Sequence, residues 1–165
     1  MTLRLGRPAL HLVGLVFLLT TITFGGCGGC NWVKEKTGLG RIVTEPEDES
    51  PDWVVQKVLK AAAIEPFDAA FAEYVKYLHS EEKGSPQGMK EWETMRFKAL
   101  RNKFKCFMRP EEGTDAFKIM ETRENAEDYM SIFVSCKTTE NPTPCHLKKD
   151  PAAGGKWRVK YNCLN

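Results

Sequence analysis

The sequence has none of the short motifs that mark the common catalytic classes. G-x-S-x-G, H-E-x-x-H, the P-loop and G-x-G-x-x-G are all absent, so nothing indicates a serine hydrolase, a zinc peptidase or a nucleotide- or dinucleotide-binding site. The one C-x-x-C, Cys27 to Cys30, has no second pair to complete a zinc site. The residues therefore predict a destination and a fold class, but they name no substrate and no cofactor.

Acidic side chains are missing from the start of the chain, since none precedes Glu35. Arg4 and Arg7 come before an apolar run from Ala9 to Phe24, which is 16 residues long. A membrane-spanning helix needs about 20 apolar residues, whereas the core of a secretory signal is shorter and follows positive charge. The pattern predicts a signal peptide over residues 1–26.

The apolar run ends in Gly25, Gly26 and Cys27, which places small residues directly before a cysteine. This stretch resembles the lipobox of bacterial lipoproteins, with Phe24 where that family usually has Leu. The resemblance implies that the Cys27 thiol is lipidated, that Cys27 becomes the mature N-terminus, and that several acyl chains anchor the protein to a membrane.

The residue after Cys27 bears on sorting. Gly28, rather than Asp, resembles lipoproteins of the outer membrane that face the periplasm; in a cell with one membrane the anchor would lie on its exported surface. Three alternatives stay open for the N-terminal stretch: an uncleaved signal anchor, a soluble secreted protein, and a redox or metal pair formed by Cys27 and Cys30.

The rest of the chain is formally neutral. The sequence has 24 Lys+Arg and 22 Asp+Glu, and Arg4 and Arg7 are the only charges before Cys27. A nucleic-acid-binding protein is expected to keep a basic excess, so no nucleic-acid partner is predicted. The charge is uneven, with an acidic stretch over 45–52 and a basic end over 148–160. That basic end either meets acidic lipid headgroups or forms a solvated strand edge.

Residues 27–50 predict a flexible acidic tether, because they contain glycines, Pro46, an acidic cluster and few apolar residues, among them the short pair Ile42 and Val43. A domain is expected over 51–165. Its first half has apolar residues at helical spacing, and helices are predicted over about 51–64, 67–79 and 89–108. Ser50, Pro51 and Asp52 form an N-cap signal for the first helix.

After Gly113 the apolar period changes to alternation, which predicts strands over about 116–122, 128–137, 145–149 and 156–164. In the last strand, Trp157, Val159, Tyr161 and Cys163 are expected to share the buried face. Helices followed by a meander predict an α+β domain, with the N-terminal helices packed on one face of a curved four-stranded antiparallel sheet.

The order of these elements and the closing sequence Gly-Lys-Trp-Arg-Val at 155–159 resemble the NTF2-like superfamily. The resemblance covers about residues 50–165, and it implies an α+β cone whose concave side could hold a ligand. No active-site motif of the family's isomerases or dehydratases matches this sequence, so no catalytic residue is transferred.

Four cysteines lie in the domain, and an exported protein can oxidise them. Neighbouring strands lie about 4.8 Å apart, so a simple meander excludes a bond between Cys136 and Cys163. We expect Cys136 to bond Cys145 and Cys106 to bond Cys163. The alternatives are Cys145 with Cys163 and Cys106 with Cys136, or four reduced buried thiols. Cys30 has no partner in either scheme.

Two classes of function remain. The preferred one is a lipid-anchored, non-enzymatic binding or structural module of the cell envelope, which takes a small apolar ligand or an envelope protein as partner. The alternative is a small NTF2-like enzyme of isomerase or dehydratase type, with Asp128, Tyr129 or His146 as acid or base in a pocket.

No metal site is expected, because His146 alternates with Cys145 and points to the opposite face. His79 is expected to interact with a helix dipole.

Overall fold

The computed structural model describes residues 40–165, and the apolar run, Cys27 and Cys30 lie outside this range. The α-helices precede the four longer strands of an antiparallel sheet, so the predicted α+β class is confirmed. The sheet is open and has five strands in the order β1-β2-β3-β4-β5. Within residues 40–165 no helix is long and apolar enough to cross a membrane.

The first helix, α1 (Pro51–Ala63), begins where the sequence predicts. The Ser50 side chain accepts a hydrogen bond from the Trp53 amide, and Pro51 occupies the first helical turn. The second helix, α2 (Phe67–Val75), ends earlier than predicted. The reason is a backbone pairing: Val159 N donates to Tyr77 O at 2.8 Å and His79 N donates to Val159 O at 2.9 Å.

The third helical region starts three residues earlier than predicted, because Ser85 caps it by accepting a hydrogen bond from Gly88 N. It consists of α3 (Pro86–Glu91), a π-helical segment (Trp92–Phe97) and α4 (Lys98–Phe107). The predicted end before Arg109 and Pro110 is confirmed within one residue.

Four strands lie at or near the predicted positions: β2 (Phe117–Ala126), β3 (Tyr129–Val134), β4 (Thr143–Asp150) and β5 (Lys156–Cys163). The predicted count of four is wrong, because β1 (Arg41–Val43) pairs antiparallel with β2. This strand comes from the stretch that the sequence analysis assigned to the tether.

Three contacts explain why β1 joins the domain. Gly40 has φ of +64°, and a Cβ there would lie 2.5 Å from the Ile119 carbonyl oxygen, so only glycine lets the chain approach β2 so closely. Val43 is buried in the common core. Arg41 donates two hydrogen bonds to the Asp52 carboxylate, at 2.5 and 2.9 Å. The ordered domain therefore includes residues that precede α1.

One core joins the helices and the sheet. The fully buried large side chains come from α1, α2, the π-helical segment, α4 and the strands β2, β3 and β4. They include Leu59, Tyr74, Phe97, Phe107, Phe117, Ile119, Ile132 and Leu147.

Strand β5 departs from the predicted alternation at Tyr161. Cys145 lies opposite Cys163, and Leu147 lies opposite Val159. Two residues along β4 therefore correspond to four residues along β5, so the register is irregular here. Tyr161 takes φ of +66° in this bulge. Its side chain is 53% exposed, so its predicted place on the buried face is wrong. The bulge also turns Lys160 inward, where it is only 7% exposed.

Candidate functional site

The four domain cysteines form two disulfides, Cys106–Cys136 and Cys145–Cys163, with Cα atoms 4.8 and 3.8 Å apart. This is the alternative pairing, and the expected bonds between Cys136 and Cys145 and between Cys106 and Cys163 are wrong. The strand register gives the reason. Cys145 lies opposite Ile132 on β3, and Val134 lies opposite Thr143. Cys136 is thus beyond the paired part of β3, whereas Cys163 lies directly opposite Cys145 on β5.

Arg109 fastens the end of α4 to the sheet beside the first disulfide, and the sequence analysis did not select it. Its Nη1 donates to the carbonyls of Cys106, Phe107 and Met108, and its Nη2 donates to the Ser135 carbonyl and hydroxyl oxygens. A cation at these terminal carbonyls also interacts favourably with the helix dipole. The Arg-Pro pair after a helix is the only sequence signal for this role.

A polar cluster lies on strands β2, β3 and β4 and contains two of the predicted acid–base residues. Ser131 Oγ lies 2.9 Å from His146 Nδ1, and Asn125 Nδ2 donates to Ser131 Oγ at 2.8 Å. Tyr129 stacks on the His146 ring at 6.1 Å, and Tyr161 meets Tyr129 edge-on at 6.4 Å. The bulge in β5 therefore adds an aromatic ring to this cluster.

The surroundings of His146 favour one neutral form of its ring. Burial lowers the pKa of His146 and thereby favours neutral imidazole. Ser131 Oγ accepts a hydrogen bond from Asn125, so the Ser131 hydroxyl proton can be donated to His146 Nδ1. In this arrangement His146 Nδ1 carries no proton, and the ring proton is on Nε2. Among residues 40–165, no carboxylate bonds to His146. The backbone carbonyl of Asp128, the third predicted residue, accepts a hydrogen bond from Lys149 N at 2.8 Å, outside this cluster.

Three of the five cations at the basic end of the chain, all of them lysines, are paired with acidic side chains of the same domain. Lys160 Nζ lies 2.6 Å from Glu82 and 2.9 Å from Glu81. Lys148 pairs with Glu81 at 3.4 Å, and Lys156 pairs with Glu49 at 2.5 Å. Lys149 and Arg158 make no ion pair among residues 40–165, so these contacts reduce the positive charge of this end without removing it.

The Lys160–Glu82 pair is the most enclosed of these contacts, with side chains 9% and 14% exposed. Burial opposes ionisation of Glu82, but hydrogen bonds from Lys160 and from Trp92 Nε1 outweigh it and hold the Glu82 pKa below its usual value. Burial likewise opposes the charge on Lys160, and its bonds to Glu82 and Glu81 raise the Lys160 pKa overall.

His79 has a structural position at the junction between α2 and the sheet. Its side chain is buried, and Nδ1 accepts a hydrogen bond from Glu81 N at 3.1 Å, which caps the short 3₁₀ helix Ser80–Lys83. Nearby, the Asp150 carboxylate accepts from Ser80 N, Ser80 Oγ and Ala152 N. Burial opposes ionisation of Asp150, yet these bonds lower its pKa. His79 thus serves as a cap for the next helix rather than as a partner of the α2 C-terminus.

A different positive surface lies on the helical side. We call it the α4 groove; it has a volume of about 680 Å³ and runs between the end of α1, the start of α2 and α4. Its polar lining is Lys98, Arg101, Asn102, Lys105 and Glu65, and its apolar lining is Ala63, Phe67 and Phe104. The sequence analysis did not select this surface.

The comparisons with known proteins give no relative for this chain. It matches no protein-family model, and neither the curated proteins nor the solved structures gave a match. Across residues 40–165 no group of three or more His, Cys, Asp or Glu side chains is arranged to hold a metal ion. The class that the fold defines is a disulfide-bonded α+β domain with an open antiparallel sheet.

Proposed function

We propose that this chain is an exported bacterial lipoprotein, anchored by acyl chains on Cys27, whose domain is a non-enzymatic binding or structural module of the cell envelope. The observation that carries the proposal is the pair of disulfides. Cys136, Cys145 and Cys163 are buried and Cys106 is partly buried, and all four are matched within the domain. Disulfides persist outside the reducing cytosol, so they support the export that the N-terminal stretch predicts.

The proposed anchor on Cys27 has several acyl chains, and this number decides how firmly the domain is held at the membrane. A single acyl chain gives reversible membrane binding, whereas several chains on one cysteine hold a water-facing domain firmly. In a cell with two membranes, the outer membrane facing the periplasm is the proposed location, because Gly28 follows the lipidated cysteine.

Binding is preferred over catalysis because of the cluster around His146. The hydrogen bonds favour a hydrogen on His146 Nε2, and two tyrosine rings belong to the same cluster, which suits a ligand that accepts hydrogen bonds and packs against aromatic faces. An NTF2-like relation is part of the proposal and is supported by helices that precede an antiparallel meander. The alternative, an isomerase or dehydratase, would need a carboxylate beside the imidazole.

The anchor is tested with two matched cysteine variants of the full chain. Cells grown with labelled palmitate are fractionated, and both the label and the protein in the membrane fraction are measured. Cys27→Ala should abolish labelling and release the protein from the membrane, whereas Cys30→Ala should leave both unchanged. If the Cys27→Ala chain sediments with membranes as before, the apolar run itself is the anchor and the lipoprotein proposal is wrong.

A further inference from the structure

The helical side of the molecule carries positive charge that the domain does not neutralise. From Arg96 to Arg109, with both arginines included, the sequence contains six cationic residues and no acidic one. Three of them, Lys98, Lys103 and Lys105, are exposed and make no ion pair with any residue in the range 40–165. This surface is therefore available to an anion from outside the domain.

The α4 groove concentrates this charge on one side of the helix. Lys98, Arg101 and Lys105 follow one another at spacings of three and four residues, so they share a helix face. All three line the groove, and Glu65 is the one acidic residue among the lining side chains. The apolar side chains of Phe67 and Phe104 lie in the same lining. The groove thus offers cations beside an apolar surface.

Arg101 adds a specific indication of a missing acceptor. Its guanidinium lies over the Phe67 ring at 5.5 Å, and its Nη2 pairs with the Glu65 carboxylate. Its Nη1 is buried and has no hydrogen-bond partner within the described chain. A buried donor without an acceptor is unfavourable. The Glu65 side chain is 82% exposed and so can move aside, which opens the guanidinium to a ligand.

We propose that the α4 groove binds a phosphate monoester that carries an apolar group. The three cations and one carboxylate of the lining leave a positive charge that matches the −1.5 to −2 of such a phosphate at about neutral pH. Arg101 donates to two phosphate oxygens with its planar guanidinium, and Lys98 and Lys105 act as point charges beside it. The apolar group packs on Phe67 and Phe104.

Two sources share this chemistry: a soluble phosphate ester and the headgroup of a monophosphoryl lipid. The proposed site lies entirely within residues 40–165, so it does not depend on lipidation of Cys27. The site and the anchor can therefore fail separately, and the Cys27→Ala chain should bind the same ligands with the same affinity.

The test is calorimetric titration of the full chain, in a non-ionic detergent, with phenyl phosphate. Saturable binding that weakens with added salt is expected. Lys98→Gln with Lys105→Gln should weaken it by about tenfold or more, whereas the control pair Lys83→Gln and Lys103→Gln, outside the groove, should change it by less than about twofold. Glu65→Gln should strengthen binding severalfold, because it removes the competing carboxylate.

Glu65→Gln is expected to strengthen binding, whereas a folding defect in a lysine variant could only weaken it. The test therefore does not depend on the lysine variants alone. Absence of saturable binding, or equal losses in the two lysine pairs, would overturn the proposal. Short-chain phosphatidic acid that binds tenfold tighter than phenyl phosphate supports the proposal with a lipid source, and similar affinities support it with a soluble ester. Equal binding of short-chain phosphatidylcholine would overturn it, since that headgroup has no net charge.

Discussion

The lysines of β4 and β5 and the lysines of α4 look alike in the sequence, but the fold treats them differently. On the strands, three of the four lysines, Lys148, Lys156 and Lys160, each meet a carboxylate from a distant part of the chain. On α4, Lys98 and Lys105 meet none among residues 40–165 and flank a groove. A cluster of like charges therefore predicts an interaction surface only after its partners in the fold are known. The strand lysines contribute to stability, and the α4 lysines are available for binding.

Each of these two regions is held by its own disulfide, and removing the disulfides gives the largest expected effects. The Cys106–Cys136 bond ties α4 to the sheet with a sequence separation of 30, and Cys145–Cys163 ties β5 to β4 with a separation of 18. Replacing either pair by alanine should lower the free energy of unfolding by about 3 to 4 kcal/mol, slightly more for the longer loop.

Urea unfolding of the two double variants measures this difference. A Cys106→Ala and Cys136→Ala chain should also bind phenyl phosphate more weakly, because the end of α4 loosens. If the Cys145→Ala and Cys163→Ala chain lost as much affinity, the two regions would not be independent.

The next effect separates the two sets of lysines directly. Lys160→Met should lower the free energy of unfolding by about 2 to 3 kcal/mol, because it leaves the Glu82 carboxylate enclosed without its cation. Lys98→Met, on the exposed face of α4, should change it by less than about 0.5 kcal/mol. Equal values in chemical denaturation of the two variants would contradict the distinction between the regions.

A smaller effect concerns pH. The Glu82 pKa is lowered in the folded chain, so this carboxylate stabilises the fold above its unfolded pKa. That contribution is lost as the pH falls from about 4.5 through the folded pKa. Unfolding curves between neutral and acidic pH should therefore be flatter for Glu82→Gln than for the unchanged chain.

Local signals in the sequence predicted the elements well. The N-cap at Ser50 and the alternation in β3 depend on near neighbours, and both are found in the structure. Strand β1 was missed because three residues give too short a pattern, and only its pairing with β2 reveals it. The bulge at Tyr161 gave no signal either, since a bulky residue at positive φ is not expected from the sequence.

The candidate site was harder to predict than the fold because it depends on long-range contacts. The disulfide pairing follows from the register of β3, β4 and β5, which alternation alone does not fix. His146 was selected from the sequence, but its partners Ser131 and Asn125 depend on that same register. The α4 groove was missed because Glu65 and Lys98 come to line the same groove only when α1, α2 and α4 pack together.

The central claim is that this domain matures outside the reducing cytosol, and peptide mapping tests it most directly. The full chain is taken from the membrane fraction, its free thiols are blocked at once, and the unreduced peptides are analysed by mass spectrometry. We predict one linked peptide pair containing Cys106 and Cys136, a second containing Cys145 and Cys163, and no blocked thiol at these four positions. Blocked thiols at all four would contradict the claim.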